Sequence, residues 1–210
     1  GDDPGIHRQS LARLGKALGD HASHGRAHDR VSQRVLHQIE LRLGLAFQSE
    51  QKRPEGAEET LSRALAPIAE FTWRRVDDVL DPKRGGVLTL KLAGGAKAFL
   101  SDQDFVMTYA QYQHWFPLSP VDQLILRAEG GYTIAASREG IPEDYLFRAG
   151  GSRSVRGYEY QGLGARDGDA VVGGRYLAPG TAEYVRWFSP KWGGALFADV
   201  GDAGDARGDL

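Results

Sequence analysis

A regular two-residue alternation over residues 35–48 constrains the fold of this chain more than any other feature of its sequence. Apolar side chains occupy every second position from Val35 to Phe47, except at His37, and the intervening positions are charged, amide or small apart from Leu36. Because successive side chains of a β-strand point to opposite faces, this segment predicts a strand with one apolar and one polar face. A half-buried strand of a soluble protein would alternate similarly, but seven alternations exceed the usual strand of about 5 to 6 residues and favour a membrane-spanning strand.

The composition is compatible with a membrane barrel and excludes several other classes of protein. No run of 18 or more apolar residues occurs, so no membrane-spanning helix is predicted. The formal charge of −2 shows no excess of basic residues, and we therefore expect no nucleic-acid partner. Cysteine is absent, which excludes disulfides and thiolate metal sites. Residues 1–5 do not resemble a signal peptide, so we expect the chain to begin after processing or within a longer protein.

Further strands are predicted in up-and-down order, without a crossover helix between them. They cover residues 61–74, 86–99, 105–116, 122–136, 170–188 and 193–201. Three connectors, at 77–86, 117–120 and 189–193, contain the proline and glycine typical of turns. Aromatic residues near the predicted strand ends would suit an interfacial girdle, although ordinary core aromatics would look alike: Trp73, Trp115, Tyr132, Trp187, Phe188 and Trp192.

The first 30 residues give a weaker signal. Residues 9–18 have leucines at helical spacing, which fits a short helix or a frayed strand, and the polar residues 19–30 predict a loop. We therefore divide the chain into a poorly assigned segment, 1–30, and a partial barrel domain, 31–210.

The segment 150–158, GGSRSVRGY, carries the most specific motif. It resembles the loop signature of the outer-membrane protein assembly and translocation superfamily, which includes BamA, TamA and the two-partner secretion translocators. In that family a Val-Arg-Gly-aromatic sequence lies at the tip of an extracellular loop that folds into the barrel, and here the loop would cover residues 138–168. The resemblance identifies Arg156 as the family arginine, followed by Gly157 and Tyr158. Gly150, Gly151 and Gly157 would permit positive φ angles at a tightly packed loop tip.

A second motif supplies a partner for this arginine. Gly194, Phe197, Asp199 and Gly201 resemble the family's Gly-x-x-Phe-x-Asp-x-Gly strand, whose aspartate faces the lumen and meets the loop arginine. A guanidinium can bind a carboxylate through two hydrogen bonds, and we therefore predict an ion pair between Arg156 and Asp199. A solvated loop arginine and an unrelated turn aspartate are the alternative. The occurrence of both motifs in family order, separated by a plausible strand, favours the family.

A third resemblance concerns residues 77–85, DDVLDPKRG, which are similar to a periplasmic turn of TamA-type barrels. In this turn Pro82 fixes φ, Gly85 and Gly86 permit the chain reversal, and Asp81 and Arg84 belong to the same motif. A charged group in and before the turn fits solvent-exposed charges better than a catalytic cluster: Arg74, Arg75, Asp77 and Asp78.

Enzymatic and metal sites are not predicted. The segment 150–154 lacks the second glycine of a nucleophile elbow, and no helix follows it. Two groups of potential metal ligands lack a recognised spacing, namely His21, His24 and His28, and Asp199, Asp202, Asp205 and Asp209. We expect no enzyme activity, no metal and no cofactor.

The resemblance implies an all-β fold, part of an antiparallel transmembrane β-barrel with a long inward-folded extracellular loop. The chain would supply about strands 7 to 13 of roughly sixteen, too few to close around the loop. The family's amino-terminal periplasmic POTRA domains and the last strands would lie outside this chain. The implied location is the bacterial outer membrane.

The function implied by the resemblance is to help insert or secrete other outer-membrane proteins, such as autotransporters. Its partners would be outer-membrane lipids, unfolded outer-membrane client proteins and an inner-membrane or periplasmic partner that acts through the POTRA domains. Residues 147–151 and 173–177 look more like TamA than BamA. A two-partner secretion translocator, the barrel of a patatin-type passenger protein, and a passive porin-like or soluble ligand-binding barrel remain alternatives.

Overall fold

The described part of the chain is built from antiparallel strands. The computed structural model describes residues 36–52, 60–168, 170–206 and 208. The predicted segment 9–18, the predicted loop 19–30 and the three histidines considered as metal ligands therefore lie outside the described residues. In the described part no helix is long and apolar enough to span a membrane. The strands are β1 (Leu36–Lys52), β2 (Thr60–Val76), β3 (Gly85–Gly95), β4 (Phe105–Pro117), β5 (Asp122–Ala135), β6 (Ala165–Asp167), β7 (Ala170–Val172), β8 (Tyr176–Leu177), β9 (Gly180–Trp187), β10 (Gly193–Val200) and β11 (Ala203–Gly204); two 3₁₀ helices cover Lys97–Phe99 and Glu143–Tyr145.

Nine of these strands form one antiparallel sheet, and the all-β prediction is thereby confirmed. Strands β1 to β5 are neighbours in sequence order, and β5 then pairs with β9 near its start and with β8 near its end. Strand β10 pairs with β9, and β11 pairs with β8. Strands β6 and β7 form a separate hairpin within the loop. The sheet is not closed within the described residues.

Strands β1 and β2 form a long hairpin whose register runs from Leu36 opposite Val76 to Lys52 opposite Thr60. Each strand has 17 residues, and a tilted strand needs only about 9 to 11 to cross a bilayer. The apolar side chains of β1 share one open face: Ile39, Leu41, Leu43, Leu45 and Phe47 are 59–75% exposed. This is the face that meets lipid in a barrel, because lipid-facing residues alternate with lumen-facing ones.

The prediction of a single strand over 170–188 is wrong. Ala170–Val172 pairs with β6, and the chain joins the main sheet only at Tyr176, with a break between β8 and β9 at Ala178 and Pro179. Pro179 has no N–H to donate to a ladder, and Gly201 on the neighbouring strand has φ +136°, so the two strands are interrupted side by side. The predicted strand 86–99 also ends early, at Gly95, because the chain turns into the 3₁₀ helix Lys97–Phe99.

The two ends of the sheet differ in the length of their connections. At one end the turns 77–84, 118–121 and 188–192 are short, and at the other the connection between β5 and β8 covers residues 136–175. Outer-membrane barrels have short periplasmic turns and longer extracellular loops, and the difference between the two ends of this sheet fits that pattern. Of the aromatic residues predicted at strand ends, Phe188 and Trp192 are 71% and 75% exposed in the turn 188–192. Trp115, in contrast, shares the inner face with the buried Phe105 and Met107, so a girdle position for it is wrong.

The core of the described structure lies between the long loop and the concave face of the sheet. Loop residues Ile141, Tyr145, Phe147, Ala149 and Val155 are each 8% exposed or less. They pack in one cluster with inner-face residues of the wall, which are Ala64, Ala66, Ala93, Phe105 and Met107. The loop therefore folds inward, and its apolar side chains provide much of the buried surface.

Candidate functional site

The loop that follows β5 has internal structure that holds its tip in place. Phe147 and Gly174 exchange two backbone hydrogen bonds of 2.8 Å, and Ala149 and Leu163 exchange two of 2.9 and 3.0 Å. These bridges bring the outgoing and returning branches of the loop together. The two ends of the segment 150–162 are thereby held next to each other.

Aromatic contacts attach the outgoing branch to the wall. The ring centroid of Tyr145 lies 4.9 Å from that of Phe105. The Phe147 ring lies over Gly131 on β5, where an added Cβ would stand 2.6 Å from the ring. In addition, the fully buried Thr133 hydroxyl donates a 2.6 Å hydrogen bond to the Tyr145 carbonyl. A side chain at Gly131 would therefore displace the loop.

Polar contacts extend the loop's attachment to β1. The Glu143 backbone N–H donates to the Glu50 carboxylate at 2.9 Å, and the Gln48 side-chain amide binds Asp144. The Glu143 carboxylate in turn accepts hydrogen bonds from Arg148 at 2.6 Å and from the Gly173 N–H at 3.0 Å. The loop is therefore attached to β1, the first described strand.

The tip of the loop is held by Arg156, which binds Asp199 on β10. Its backbone N–H, Nε and Nη2 donate hydrogen bonds of 2.9, 2.8 and 2.9 Å to the two oxygens of that carboxylate. The Asp199 side chain is only 2% exposed, so its charge depends on this cation for compensation. The two residues that the family motifs single out are thus brought together, and we call this contact the clasp.

Two further inner-wall residues contact the arginine of the clasp. Arg156 Nη1 donates a 2.6 Å hydrogen bond to Glu183 on β9, and its guanidinium carbon lies 3.6 Å from the centre of the Phe197 ring. Cross-strand register explains the arrangement, because Glu183 is paired with Phe197, two residues from Asp199. Glu183 was not identified from the sequence. The predicted strand 170–188 did not begin at Gly180, so it did not show which of its residues face the lumen.

The wall also contacts the tip through Arg127 on β5. Its Nη2 donates long hydrogen bonds to the Ser154 carbonyl, at 3.4 Å, and to the Thr181 hydroxyl, at 3.3 Å. Three adjacent strands therefore contact the segment that carries Arg156.

The motif glycines have different environments. Gly150, Gly151 and Gly157 all have positive φ, at +104°, +89° and +98°. A Cβ at Gly150 would strike the Glu159 carbonyl oxygen, whereas one at Gly157 would meet nothing within 4 Å. Tyr158 is 56% exposed and lies outside the clasp.

A second arginine, Arg175, stabilises the interrupted strands at the end of the sheet that carries the long loop. Its Nε donates to the Asp205 carboxylate at 2.9 Å, its Nη1 to the Ala135 carbonyl at 2.9 Å and its Nη2 to the Asp205 carbonyl at 3.1 Å. We call this group the outer brace. No sequence prediction was made for Arg175 in this role, because its partner lies in a short strand extension that the sequence pattern does not reveal.

The predicted periplasmic turn is organised by two residues that the sequence reading treated only as exposed charges. Asp77 Oδ1 accepts the N–H groups of Asp78, Lys83 and Arg84 at 2.9–3.0 Å, and Asp78 Oδ1 accepts those of Leu80 and Asp81. These N–H donors lower the pKa of Asp78.

The residues predicted for this turn have supporting positions. Asp81 pairs with Lys83 at 2.8 Å, the Pro82 carbonyl accepts a hydrogen bond from Gln123, and Gly85 turns the chain into β3 with φ +110°. Arg84 closes the turn through its carbonyl, which accepts the Asp77 N–H at 3.1 Å. The turn is thus held by hydrogen bonds within it and by one from Gln123 on β5.

The aspartates considered as metal ligands are engaged otherwise. Asp199 and Asp205 each pair with an arginine, and Asp202 Oδ1 accepts the N–H of Ala203. Asp209 lies outside the described residues.

Comparison with known proteins agrees with these features. Residues 33–209 match the Omp85 superfamily domain. The outer membrane protein assembly factor BamA of Nitratidesulfovibrio vulgaris is 30% identical over 135 residues, which is 62% of this chain and 17% of that protein. The crystal structure of BamA from Haemophilus ducreyi lacking POTRA domains 1–3 has the same fold, with a TM-score of 0.58 at 16% identity over 71% of this chain and 32% of that one. The chain thus spans about a sixth of the curated relative and a third of the solved one. On the extent of the domain match, this chain belongs to the Omp85 superfamily.

Proposed function

We propose that this chain is part of the barrel of a factor that assembles or translocates other outer-membrane proteins. Its superfamily places it in the outer membrane. The assembly role is supported by the likeness to BamA, and the TamA-like segments 147–151 and 173–177 favour autotransporter-type clients.

The observation that carries the proposal is the attachment of the inward-folded loop by the clasp. Arg156 joins the loop tip to β9 and β10, while Glu143 joins the same loop to β1. A loop fixed across the wall resists independent movement of those strands. In our proposal this stiffened wall supports a neighbouring seam of the barrel, where a client strand adds to an exposed strand edge by backbone pairing.

The function requires no covalent step. The work consists of binding an unfolded β-strand and releasing it into lipid, and the chain contributes the rigid wall and the loop. POTRA domains and the inner-membrane or periplasmic partner that they would contact are part of this proposal.

Removal of the clasp arginine tests the role of the loop. We expect Arg156→Ala in the full-length protein, reconstituted in lipid vesicles, to slow the insertion of an unfolded autotransporter barrel at least fivefold. Arg153→Ala is the matched control, since Arg153 is an exposed arginine three residues away on the same loop. Insertion by Arg156→Ala at the wild-type rate would refute the role of the clasp.

A passive pore is separated from an assembly factor by its conductance. Because the loop packs its buried side chains against the concave wall, we expect low single-channel conductance in the wild type. Stable, large and ion-selective conductance without any client insertion would favour the porin-like alternative instead.

A further inference from the structure

A row of basic side chains crosses the outer face of the first four strands. The register places His37 opposite Arg75, Arg75 opposite Gly86, and Gly86 opposite His114. His37 is separated from Ile39 by one residue and therefore lies on the same lipid-facing side as the exposed apolar side chains of β1. Residues directly opposite each other on neighbouring strands point to the same side of the sheet, so Arg75 and His114 also point outward.

The depth of this row fits the headgroup region of the periplasmic leaflet. Arg75 is the second-last residue of β2, and Gly86 is the second residue of β3, on either side of the turn 77–84. A basic residue on the lipid face costs about 2–4 kcal/mol at the midplane but only about 0–1 near the interface. The position is thus one at which a barrel can carry an outward cation.

Aromatic residues border the row on its membrane side. Trp73 and Tyr112 both face Leu88 across the register, one pleat nearer the bilayer centre than Arg75 and His114. Trp and Tyr favour the level of the lipid headgroups, because one part of the ring system is apolar and another can form hydrogen bonds. The basic row therefore lies where phosphate groups are expected.

The absence of a side chain at Gly86 leaves room for the side chains of Tyr112 and His114, which lie over its backbone. A Cβ at Gly86 would stand 2.7 Å from the Tyr112 hydroxyl and 3.0 Å from His114 Nδ1. These two groups lie 2.7 Å apart in a hydrogen bond, which fixes the imidazole and leaves its Nε2 for another partner. Because neighbouring strands are about 4.8 Å apart, the backbones of Arg75 and His114 are about 10 Å apart, close enough for both side chains to reach one phosphate.

Arg75 has unused hydrogen-bonding capacity. Its side chain is exposed and forms no ion pair or hydrogen bond within the described part of the chain. The next residue in the sequence, Arg74, faces the lumen and donates a 3.0 Å hydrogen bond to Gln38. A planar guanidinium with free donors is well suited to bind phosphate oxygens through two hydrogen bonds.

We propose that Arg75 and His114, flanked by His37, form a binding site for the headgroup phosphate of an anionic phospholipid in the periplasmic leaflet. Arg75 supplies the charge and paired donors, His114 contributes an oriented imidazole, and Gly86 leaves room for the Tyr112 hydroxyl that orients it. Trp73 and Tyr112 pack beside the glycerol and upper acyl region. The site fixes the height of this part of the wall in the membrane and is independent of the client-insertion role.

Native mass spectrometry of the full-length protein, released from detergent with phosphatidylglycerol or phosphatidylcholine added, tests the site. We expect the wild type to retain phosphatidylglycerol in preference to phosphatidylcholine, and Arg75→Gln with His114→Gln to lower its apparent affinity at least tenfold. Arg74→Gln is the matched control and should retain the lipid, since it changes the neighbouring arginine on the lumen face. Heat-modifiable mobility on gels checks that each variant is folded.

Three results would overturn the proposal. They are equal phosphatidylglycerol retention by the double variant and the wild type, equal loss in Arg74→Gln, and no preference over phosphatidylcholine in the wild type. Millimolar inorganic phosphate distinguishes the source of the phosphate: we expect it not to displace the lipid, and displacement would indicate a free-phosphate site instead. Because client insertion is measured separately, failure of the lipid site leaves the proposed function intact.

Discussion

At the scale of single residues, Arg156 both compensates the charge of Asp199 and fixes the position of the loop. Its guanidinium contacts two carboxylates and one aromatic ring, and its backbone N–H binds Asp199 as well. Because the Asp199 side chain is 2% exposed, water cannot readily replace the arginine. The pair is therefore coupled, and its two members should not contribute independently to stability.

A double-mutant cycle measures this coupling. We expect Arg156→Ala to lower the free energy of unfolding of the barrel by about 3–5 kcal/mol, because it leaves a buried carboxylate without a cation. Asp199→Ala should also destabilise, and the double variant should cost clearly less than the sum of the two. Urea unfolding monitored by tryptophan fluorescence gives the values, and additive costs would argue against a direct pair.

The loop glycines allow a comparison in which the backbone angle is held nearly constant. Gly150 and Gly157 both have φ near +100°, but only Gly150 has a carbonyl oxygen in the place of a Cβ. We expect Gly157→Ala to cost about 1 kcal/mol from backbone strain and Gly150→Ala to cost more, because the Glu159 segment must also move. The same unfolding experiment reports both, and a larger cost at Gly157 would contradict the described loop geometry.

At the scale of elements, alternation and turn residues predicted most of the sheet. Strands β1, β2, β4 and β5 lie close to their predicted positions because their side chains alternate over many residues and short turns join them. The region after Ala136 was harder, since a loop that packs inside a barrel combines buried apolar residues with irregular backbone. The adjacent Pro179 and Gly180 could have indicated the break between β8 and β9.

In the candidate site, too, some residues could be predicted from the sequence and others could not. Arg156 and Asp199 could be named from sequence because two family motifs contain them. Glu183 and Arg175 could not, since each depends on which residue of a neighbouring strand lies opposite, and register is set by packing between strands that are distant in sequence. Asp77 was visible in the sequence, but its role in accepting three N–H groups depends on turn geometry.

Loss of the outer brace should destabilise the structure locally rather than globally. Arg175→Ala removes the charged hydrogen bonds to Asp205 and the contact with the Ala135 carbonyl, worth about 1.5–3 kcal/mol together. We expect faster hydrogen exchange at residues 176–177 and 203–205, with unchanged protection in the centre of β9 and β10. Arg166→Ala, on the exposed side of β6, serves as the control; loss of protection throughout β9 and β10 would show that the brace is not local.

At the scale of the whole described molecule, an open antiparallel sheet is filled on its concave side by its own loop. The outer face is apolar along β1, the inner face carries the clasp, and the basic row on the outer face lies beside the turn 77–84. These three surfaces divide the tasks of contacting lipid, holding the loop and, in our proposal, fixing the wall in the membrane. In our proposal, the client-handling role belongs to the complete barrel of which this chain is a part.

The central claim is that the clasp serves assembly by holding the loop against the wall, and a reversible covalent replacement tests it most directly. The 210 residues contain no cysteine, so Arg156→Cys with Asp199→Cys introduces a single pair into this chain, at the point where the Asp199 carboxylate lies 2.9 Å from the Arg156 backbone N–H. The measurement is the rate at which the full-length variant inserts an unfolded client into vesicles, before and after oxidation. We predict slow insertion when the pair is reduced and recovery toward the wild-type rate when it is oxidised; the same rate in both states would contradict the account.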